Sequence, residues 1–322
     1  RTSAQWDTLG RDDADWSVTG SESTRSAHLW VTRGLEREEV DEIHAGDIVW
    51  INGPDEITIG DTLSAPELAD PALPPLEIEE PTVSMFFLVN NGPFAGQDGQ
   101  AVTLRQIKDR LDRELRVNVA LRVEDTDSAE NFLVSGRGEL HLGILIETMR
   151  REGYEFQVSR PEVIFHKADD GALLEPFEEV HIETSNETVG AVVEMLGGRR
   201  GKMMEMHDSG QGTTRMVYIV PTRGLLGFRY QFLTSTRGAG IMNTIFHGYD
   251  ELAGPMNSRS NGSIVAWEAG TTTAYALKSA EERGVLFVGP GVEVYEGMVV
   301  GEYSRGMDIP INVCKKKHLT NM

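Results

Sequence analysis

The residues of this chain best suited to bind a charged ligand are short clusters of basic side chains. Lysine and arginine contact phosphate oxygens without reading sequence, so a local cluster can bind a nucleic acid backbone. An acidic protein can carry such a cluster, because a Debye length of about 8 Å screens surface patches from one another. The candidate RNA-binding residues are Lys315, Lys316, Lys317 and His318 in one run, Arg199, Arg200 and Lys202 in a second, and Arg223 and Arg229 in a third.

Each basic cluster also has a purely structural interpretation. The run that begins at Lys315 is equally typical of a solvated chain end. The cations at Arg199 follow a predicted helix, whose C-terminal end favours positive charge. Arg223 and Arg229 instead open a predicted helix, where a cation is unfavourable, so we expect either RNA or an interdomain carboxylate to compensate. Composition alone leaves these alternatives open.

The best candidates for acid–base or metal chemistry are Glu139 and His141. They lie two positions apart in a predicted helix, where side chains point about 200° apart and cannot converge on one ion. The carboxylates of Asp12, Asp13 and Asp15 lack the glycine and the distal glutamate of a calcium-binding loop. We therefore predict no catalytic, cofactor or metal site in this chain, although a hydrolase centred on Glu139 and His141 remains an alternative.

The composition predicts a cytoplasmic protein with two or three domains. The chain has 322 residues, 39% of them apolar, which is enough to fill cores of ordinary size. Cys314 is the single cysteine, as expected for a reducing compartment, and no stretch approaches the roughly 20 apolar residues of a membrane span. The net charge is −21, of which residues 1–85 contribute −14, with 19 acidic and 5 basic residues. The later part, which contains the basic clusters, is therefore much closer to neutral.

The elements that position these residues follow a pattern that occurs twice. Residues 131–152 read as a strand, a glycine-rich turn and an amphipathic helix, with Leu140, Ile144, Leu145 and Met149 as the predicted apolar face. With its neighbours this segment makes a β-α-β-β-α-β unit over residues 79–168, and the same order recurs over residues 174–249. The first helix of the first unit begins at Thr103, with a capping box to Gln106.

The predicted fold class is therefore α+β with several domains. Residues 1–26 have no sustained period and are predicted to be poorly ordered, and residues 66–81, with five prolines, read as a linker. Residues 1–73 would thus hold a disordered start and strand-like runs. Residues 250–322 contain short β-like runs separated by glycines, one of them at Thr272–Leu277, and predict a β-rich C-terminal domain.

Several motifs in these elements resemble elongation-factor-G-like translational GTPases. The segment Ser135–Leu142 (SGRGELHL) resembles a signature of their third domain, and Ala45–Val49 and Ile59–Leu63 resemble strands that close their β-barrel. The segments at 81–96 (PTVSMFFLVNNGPFAG) and 221–229 (PTRGLLGFR) are similar to the BipA/TypA branch of that family. The resemblance covers roughly residues 27–322. It implies that the two units are ferredoxin-like domains III and V, followed by a truncated BipA/TypA-specific domain.

The resemblance also implies a function that this chain cannot perform alone. The sequence contains neither a G-x-x-x-x-G-K-[ST] phosphate loop nor an Asn-Lys-x-Asp motif, so GTP and Mg²⁺ would bind a domain before residue 1. By resemblance, this portion is expected to dock on the ribosome near the A site as a monomer, through large-subunit rRNA and A-site tRNA, and to support ribosome assembly and stress adaptation. A small-molecule regulatory module built on paired ferredoxin-like domains is the alternative.

Overall fold

The computed structural model describes residues 9–10, 15–18, 22–25, 28–44, 46–52, 59–60, 78–128, 130–256 and 261–316. The chain divides into two compact units, residues 1–89 with 99–160 and residues 90–98 with 161–322. Within the described ranges, no helix is both long and apolar enough to cross a bilayer.

The first unit begins with short strands that pair in small sheets. Their bounds are β1 (Leu9–Gly10), β2 (Asp15–Val18), β3 (Glu22–Arg25), β4 (His28–Arg33), β5 (Glu36–Val40), β6 (Glu42–Ile43) and β7 (Val49–Asn52). Strands β5, β4 and β7 form an antiparallel sheet, β2 pairs with β3, and β1 pairs with β6. The described strands do not close a barrel. Where the sequence predicts a poorly ordered start, the structure has β1, β2 and β3. Of the predicted linker at 66–81, residues 66–77 lie outside the described residues.

A ferredoxin-like arrangement follows in the first unit. Its elements are β8 (Val83–Val89), α1 (Leu104–Leu115), β9 (Arg122–Asp125), β10 (Asn131–Gly136), α2 (Glu139–Arg151) and β11 (Phe156–Val158). The strands lie in the order β11-β8-β10-β9 and all pair antiparallel. Two helices that connect strands in this order must cover the same face of the sheet, as the β-α-β-β-α-β pattern predicts.

Local sequence explains how α1 begins, and burial corrects the predicted face of α2. Thr103 caps α1, with its side chain and that of Gln106 forming the predicted capping box. In α2 the buried residues are Leu142, Leu145 and Met149. Leu140 and Ile144, which the sequence analysis placed inward, are 57% and 58% exposed, so that part of the prediction is wrong. The apolar face of α2 is wider than the part that the sheet covers, and only the position of the sheet decides which side of that face is buried.

The second unit repeats the arrangement. Its elements are β12 (Glu162–Val163), β13 (His166–Lys167), β14 (Leu173–Ser185), α3 (Val189–Gly198), β15 (Lys202–Asp208), β16 (Thr213–Pro221), α4 (Thr222–Leu225), α5 (Phe228–Ser235) and β17 (Ile241–Glu251). The order β17-β14-β16-β15 matches that of the first sheet, and β13 pairs with the beginning of β14. One face packs a core that includes Val180, Leu196, Tyr218 and Phe228. The other face is open.

The second unit ends in a module with a smaller sheet. Its elements are β18 (Gly262–Ala266), β19 (Gly270–Thr271), α6 (Ala274–Glu281), β20 (Gly284–Leu286), β21 (Glu293–Val294), β22 (Val299–Tyr303) and β23 (Ile309–Ile311). The sheet order is β20-β22-β18-β23, with β18 and β23 parallel. The strand-like run predicted at Thr272–Leu277 is wrong, because Thr273 caps a helix by accepting a hydrogen bond from the Ala276 amide.

The predicted fold class, α+β with tandem ferredoxin-like units and a β-rich end, is confirmed. The domain limits drawn from the sequence, at 79–168, 174–249 and 250–322, stay predictions. Contacts group the chain into two units, since the last module belongs with the second ferredoxin-like arrangement.

Candidate nucleic-acid interface

The guanidinium of Arg199 is occupied inside the second unit. Its Nη1 donates to the carbonyl oxygens of Gly224 at 2.5 Å and Leu226 at 3.3 Å, and its Nη2 donates to Gln231 Oε1 at 2.8 Å. The same group lies 5.2 Å from the centroid of the Phe228 ring. Arg199 therefore follows α3 directly, as predicted, and its side chain also joins the end of this helix to the α4–α5 turn. Its role in binding RNA stays a prediction.

Arg223 forms the most buried ion pair found among the described residues. Its Nε and Nη2 contact the two carboxylate oxygens of Glu175 at 2.5 Å and 3.0 Å, and Nη2 also donates to the Gly254 carbonyl at 2.7 Å. The Glu175 side chain is fully buried and accepts a further hydrogen bond from the Ala253 amide at 2.7 Å. Of the two compensating groups expected from the sequence, a carboxylate is the one found, and it lies in the same unit on β14.

Glu175 is the residue that sequence reasoning missed at this site. It stands 48 positions before Arg223, in a strand whose other glutamates face solvent or are half-buried. No local pattern distinguishes Glu175 from those glutamates. Only the close approach of α4 to β14 identifies it as the partner of Arg223.

The remaining candidate cations are exposed. Lys202 begins β15 and Arg229 lies in the first turn of α5, and neither side chain has a hydrogen bond or ion pair with another described residue. Arg200 is exposed too and donates to the Pro255 carbonyl at 3.3 Å; its φ of 63° is the left-handed conformation that ends α3. These three cations are available to a ligand. The structure does not bring Arg229 and Arg223 to a shared partner.

Lys315 and Lys316 are exposed on a segment that is anchored just before them. Val313 is buried and its carbonyl accepts from the Thr273 amide at 3.0 Å, while the Thr273 hydroxyl donates to the Lys315 carbonyl at 2.6 Å. The backbone is thus fixed to the start of α6 while both ammonium groups face solvent. Lys317 and His318 lie outside the described residues.

The His141 side chain is engaged by residues of the first unit. His141 Nδ1 accepts from the Arg137 amide at 3.2 Å, and Nε2 contacts the Asn118 side chain at 2.9 Å. Burial, and then the charge of Arg137, lower the pKa of the imidazole below its usual 6.5. A neutral ring with both nitrogens engaged fixes the turn before α2. The described residues contain no group of three or more side chains that could hold a metal ion.

A cavity of about 320 Å³ lies on the open face of the second ferredoxin-like sheet. Side chains from four strands line it, among them His181, Glu183, Glu205, Arg215 and Asn243. Arg215 Nε contacts Glu183 at 2.9 Å. The lining combines these polar side chains with the apolar Val217 and Ile241, which suits a small ligand or a side chain of a partner.

Comparisons with known proteins agree with the tandem units. Residues 172–260 match the model of the elongation factor G C-terminus, which places the chain in the class of elongation-factor-G-like proteins. Residues 261–322 match the TypA/BipA C-terminal domain, which follows directly in sequence. The chain belongs to the BipA/TypA family.

The curated relatives agree with that assignment. A protein named large ribosomal subunit assembly factor BipA from Synechocystis sp. is 54% identical over 89% of this chain and 48% of its own length. Proteins of the same name from Bacillus subtilis and Escherichia coli K12 are 48% and 49% identical, over 94% and 90% of this chain and 49% and 47% of their own lengths. The chain spans about half the length of the curated relatives it matches.

Proposed function

We propose that this chain is the ribosome-docking part of a BipA/TypA translational GTPase that acts in assembly of the large ribosomal subunit. The observation that carries the proposal is the similarity, over about nine-tenths of the chain, to proteins named large ribosomal subunit assembly factor BipA. We also propose that GTP and Mg²⁺ bind, and that GTP is hydrolysed, in a part of the whole protein that lies outside this chain. We propose the cytoplasm as the compartment, since ribosomes assemble there.

The docking surface that we propose is the cluster Lys315–His318, with large-subunit rRNA and the A-site tRNA as its ligands. Two of its lysines are exposed and point away from a backbone anchored at Thr273. Fixing the backbone lowers the entropy lost on binding, and ammonium groups bind phosphate without requiring a particular sequence. Lys202, Arg200 and Arg229 form a secondary set of proposed contacts, exposed on the second unit.

Arg199 and Arg223 contribute to the same function in another way. Because their guanidinium groups bind carbonyl and carboxylate oxygens of the second unit, we propose that they hold the α4–α5 region in shape. Direct contact of either residue with RNA remains part of the proposal. It would require exchange of these internal partners for phosphate.

The test is co-sedimentation of this chain with purified large subunits over a salt series, beside the variant Lys315/Lys316/Lys317→Ala. The logarithm of the binding constant falls by about 0.7–0.9 per phosphate contact for each unit in the logarithm of salt concentration. Losing three contacts is therefore expected to lower the slope by about 2–3. A charge-matched control replaces three exposed cations elsewhere, Lys167, Lys278 and Arg305, by alanine.

The outcomes separate the proposed surface from its rivals. An unchanged slope in the cluster variant would move the contact to Lys202, Arg200 or Arg229. An equal loss in the control variant would mean that general charge, not this cluster, drives binding. Absence of binding by the wild-type chain at low salt would contradict docking by this part of the protein.

The small-molecule module stays as a second candidate function, because the second sheet carries the cavity of about 320 Å³ described above. A ligand that binds only the folded state raises stability by RT ln(1 + [L]/Kd). Thermal shifts produced by metabolites in the absence of ribosomes, and lost in Arg215→Ala, would favour this function over docking alone.

A further inference from the structure

The edge strand β15 is exposed along its whole length. All residues of Lys202–Asp208 are exposed, and within the described part of the chain β15 pairs with β16 alone. An edge strand presents a row of unpaired backbone amides and carbonyls to which another extended segment can bind. A partner protein can use such an edge by adding an extended segment to it as a further strand.

The side chains of β15 are unusual for a strand edge that only faces water. Met203, Met204 and Met206 are 38%, 52% and 53% exposed. Methionine is flexible and polarisable, and proteins use it at surfaces that accommodate varied partners. The ladder to β16 shifts between Met203 and Glu205, so Met204 is an extra residue that bulges from the strand. The regular edge available for pairing is therefore Glu205–Asp208.

The charge of this regular edge defines the chemistry of a partner. The segment contains Glu205 and Asp208 and has no lysine or arginine. The Asp208 carboxylate already accepts from the Gly210 amide at 2.9 Å, whereas the Glu205 side chain has no ion pair or hydrogen bond with any described residue. Glu205 also lines the open-face cavity together with Glu183. A phosphate backbone would be repelled here, and a basic side chain would be attracted.

Strand addition would bring such a side chain to the cavity. In a strand paired with β15, alternate side chains project over the open face, beside Glu205 and His207. Across the sheet, Glu205 is opposite Val217, which is opposite His181, so the cavity extends directly from the edge. A long lysine or arginine stem can lie on Val217 while its charge reaches the carboxylate.

We propose that β15 is a docking strand for an extended basic peptide segment of a partner protein, paired at Glu205–Asp208 with a basic side chain in the adjoining cavity. The proposal concerns a protein partner and a surface separate from the Lys315 cluster. It therefore does not depend on RNA docking through that cluster.

The test uses the full 322-residue chain and a defined probe, a capped peptide of alternating valine and lysine. Amide hydrogen exchange is followed across residues 202–208 while the affinity is measured by titration. We expect slower exchange in this segment, and binding weakened more than about tenfold when alternate peptide nitrogens are methylated, because each lost backbone hydrogen bond contributes about 1 kcal/mol. Glu205→Gln is expected to weaken binding about two- to fivefold, the effect of one exposed ion pair.

Matched controls decide between this partner and others. Glu194→Gln, an exposed glutamate on α3 at the opposite face, should leave affinity unchanged. The proposal is overturned if the peptide does not protect β15, or if the methylated or a valine–glutamate peptide protects it equally. Protection that appears with rising protein concentration alone would identify a second copy as the occupant instead. Protection by a single-stranded RNA oligonucleotide and not by the peptide would identify RNA.

Discussion

Replacing Arg223 by methionine tests whether the Glu175–Arg223 pair holds the second unit together. The substitution keeps the volume of the side-chain stem but removes both bonds to the Glu175 carboxylate and the bond to the Gly254 carbonyl. Glu175, which is fully buried, would keep only the hydrogen bond from the Ala253 amide. An uncompensated buried charge of this kind costs about 3–5 kcal/mol in the free energy of unfolding.

Amide exchange under increasing urea is the assay, since it reports the unfolding free energy of each unit separately. We expect the amides of β14 and β16 to lose about 3–5 kcal/mol in Arg223→Met, while those of β8 and β10 in the other unit keep their values. The control is Arg229→Ala, an exposed arginine six residues further along the same region, for which we expect a change of less than about 0.5 kcal/mol.

A double variant distinguishes charge burial from packing. Glu175→Gln combined with Arg223→Met removes both charges, so it should recover a large part of the stability lost in Arg223→Met. The reasoning is refuted if Arg223→Met costs less than about 1 kcal/mol, or if the double variant is as unstable as the sum of the single ones. Either result would mean that the pair is not the main support of the α4–β14 contact.

Two further predictions concern the first unit. A hydrogen bond from Arg110 holds the pKa of the Glu152 carboxyl below its usual 4.5. Burial raises the pKa of the Glu114 carboxyl, but hydrogen bonds from Asn118 and Arg110 outweigh burial, so this pKa also lies below 4.5. Because both pKa values are lower in the folded state, the two carboxylates stabilise the fold fully above about pH 4.5, and this stabilisation is lost as the pH falls through the folded pKa values. We expect the melting temperature to decrease when the pH is lowered below about 4.5, and to decrease less in Arg110→Met. A parallel pH dependence in the two proteins would contradict this. Thr103→Ala should cost about 1 kcal/mol by removing the α1 cap, measured by urea unfolding against Thr103→Ser, which should retain most of it.

Two predictions that rested on local patterns are confirmed. The capping box at Thr103 and the order of strands and helices depend on residues within a few positions of each other. Those interactions form in the same way in any tertiary context, so the sequence reveals them. The strand predicted at Thr272–Leu277 is wrong because so short a segment fits both the strand and the helix period, and the Thr273 hydroxyl caps a helix there.

The sequence by itself determined the class of the fold and the existence of basic clusters, because alternation, periodicity and motif spacing are local properties. Only the tertiary structure shows which of these cations have internal partners. Arg199 and Arg223 differ from Arg229 because elements distant in sequence bring carbonyl and carboxylate oxygens to the first two. It also decided that β15 is an edge, which follows from the order in which the strands pair, and that Leu140 faces solvent, which follows from where the sheet lies against α2. Arg223 carried a signal in the sequence, a cation at the start of a helix, but no local pattern marked Glu175 as its partner.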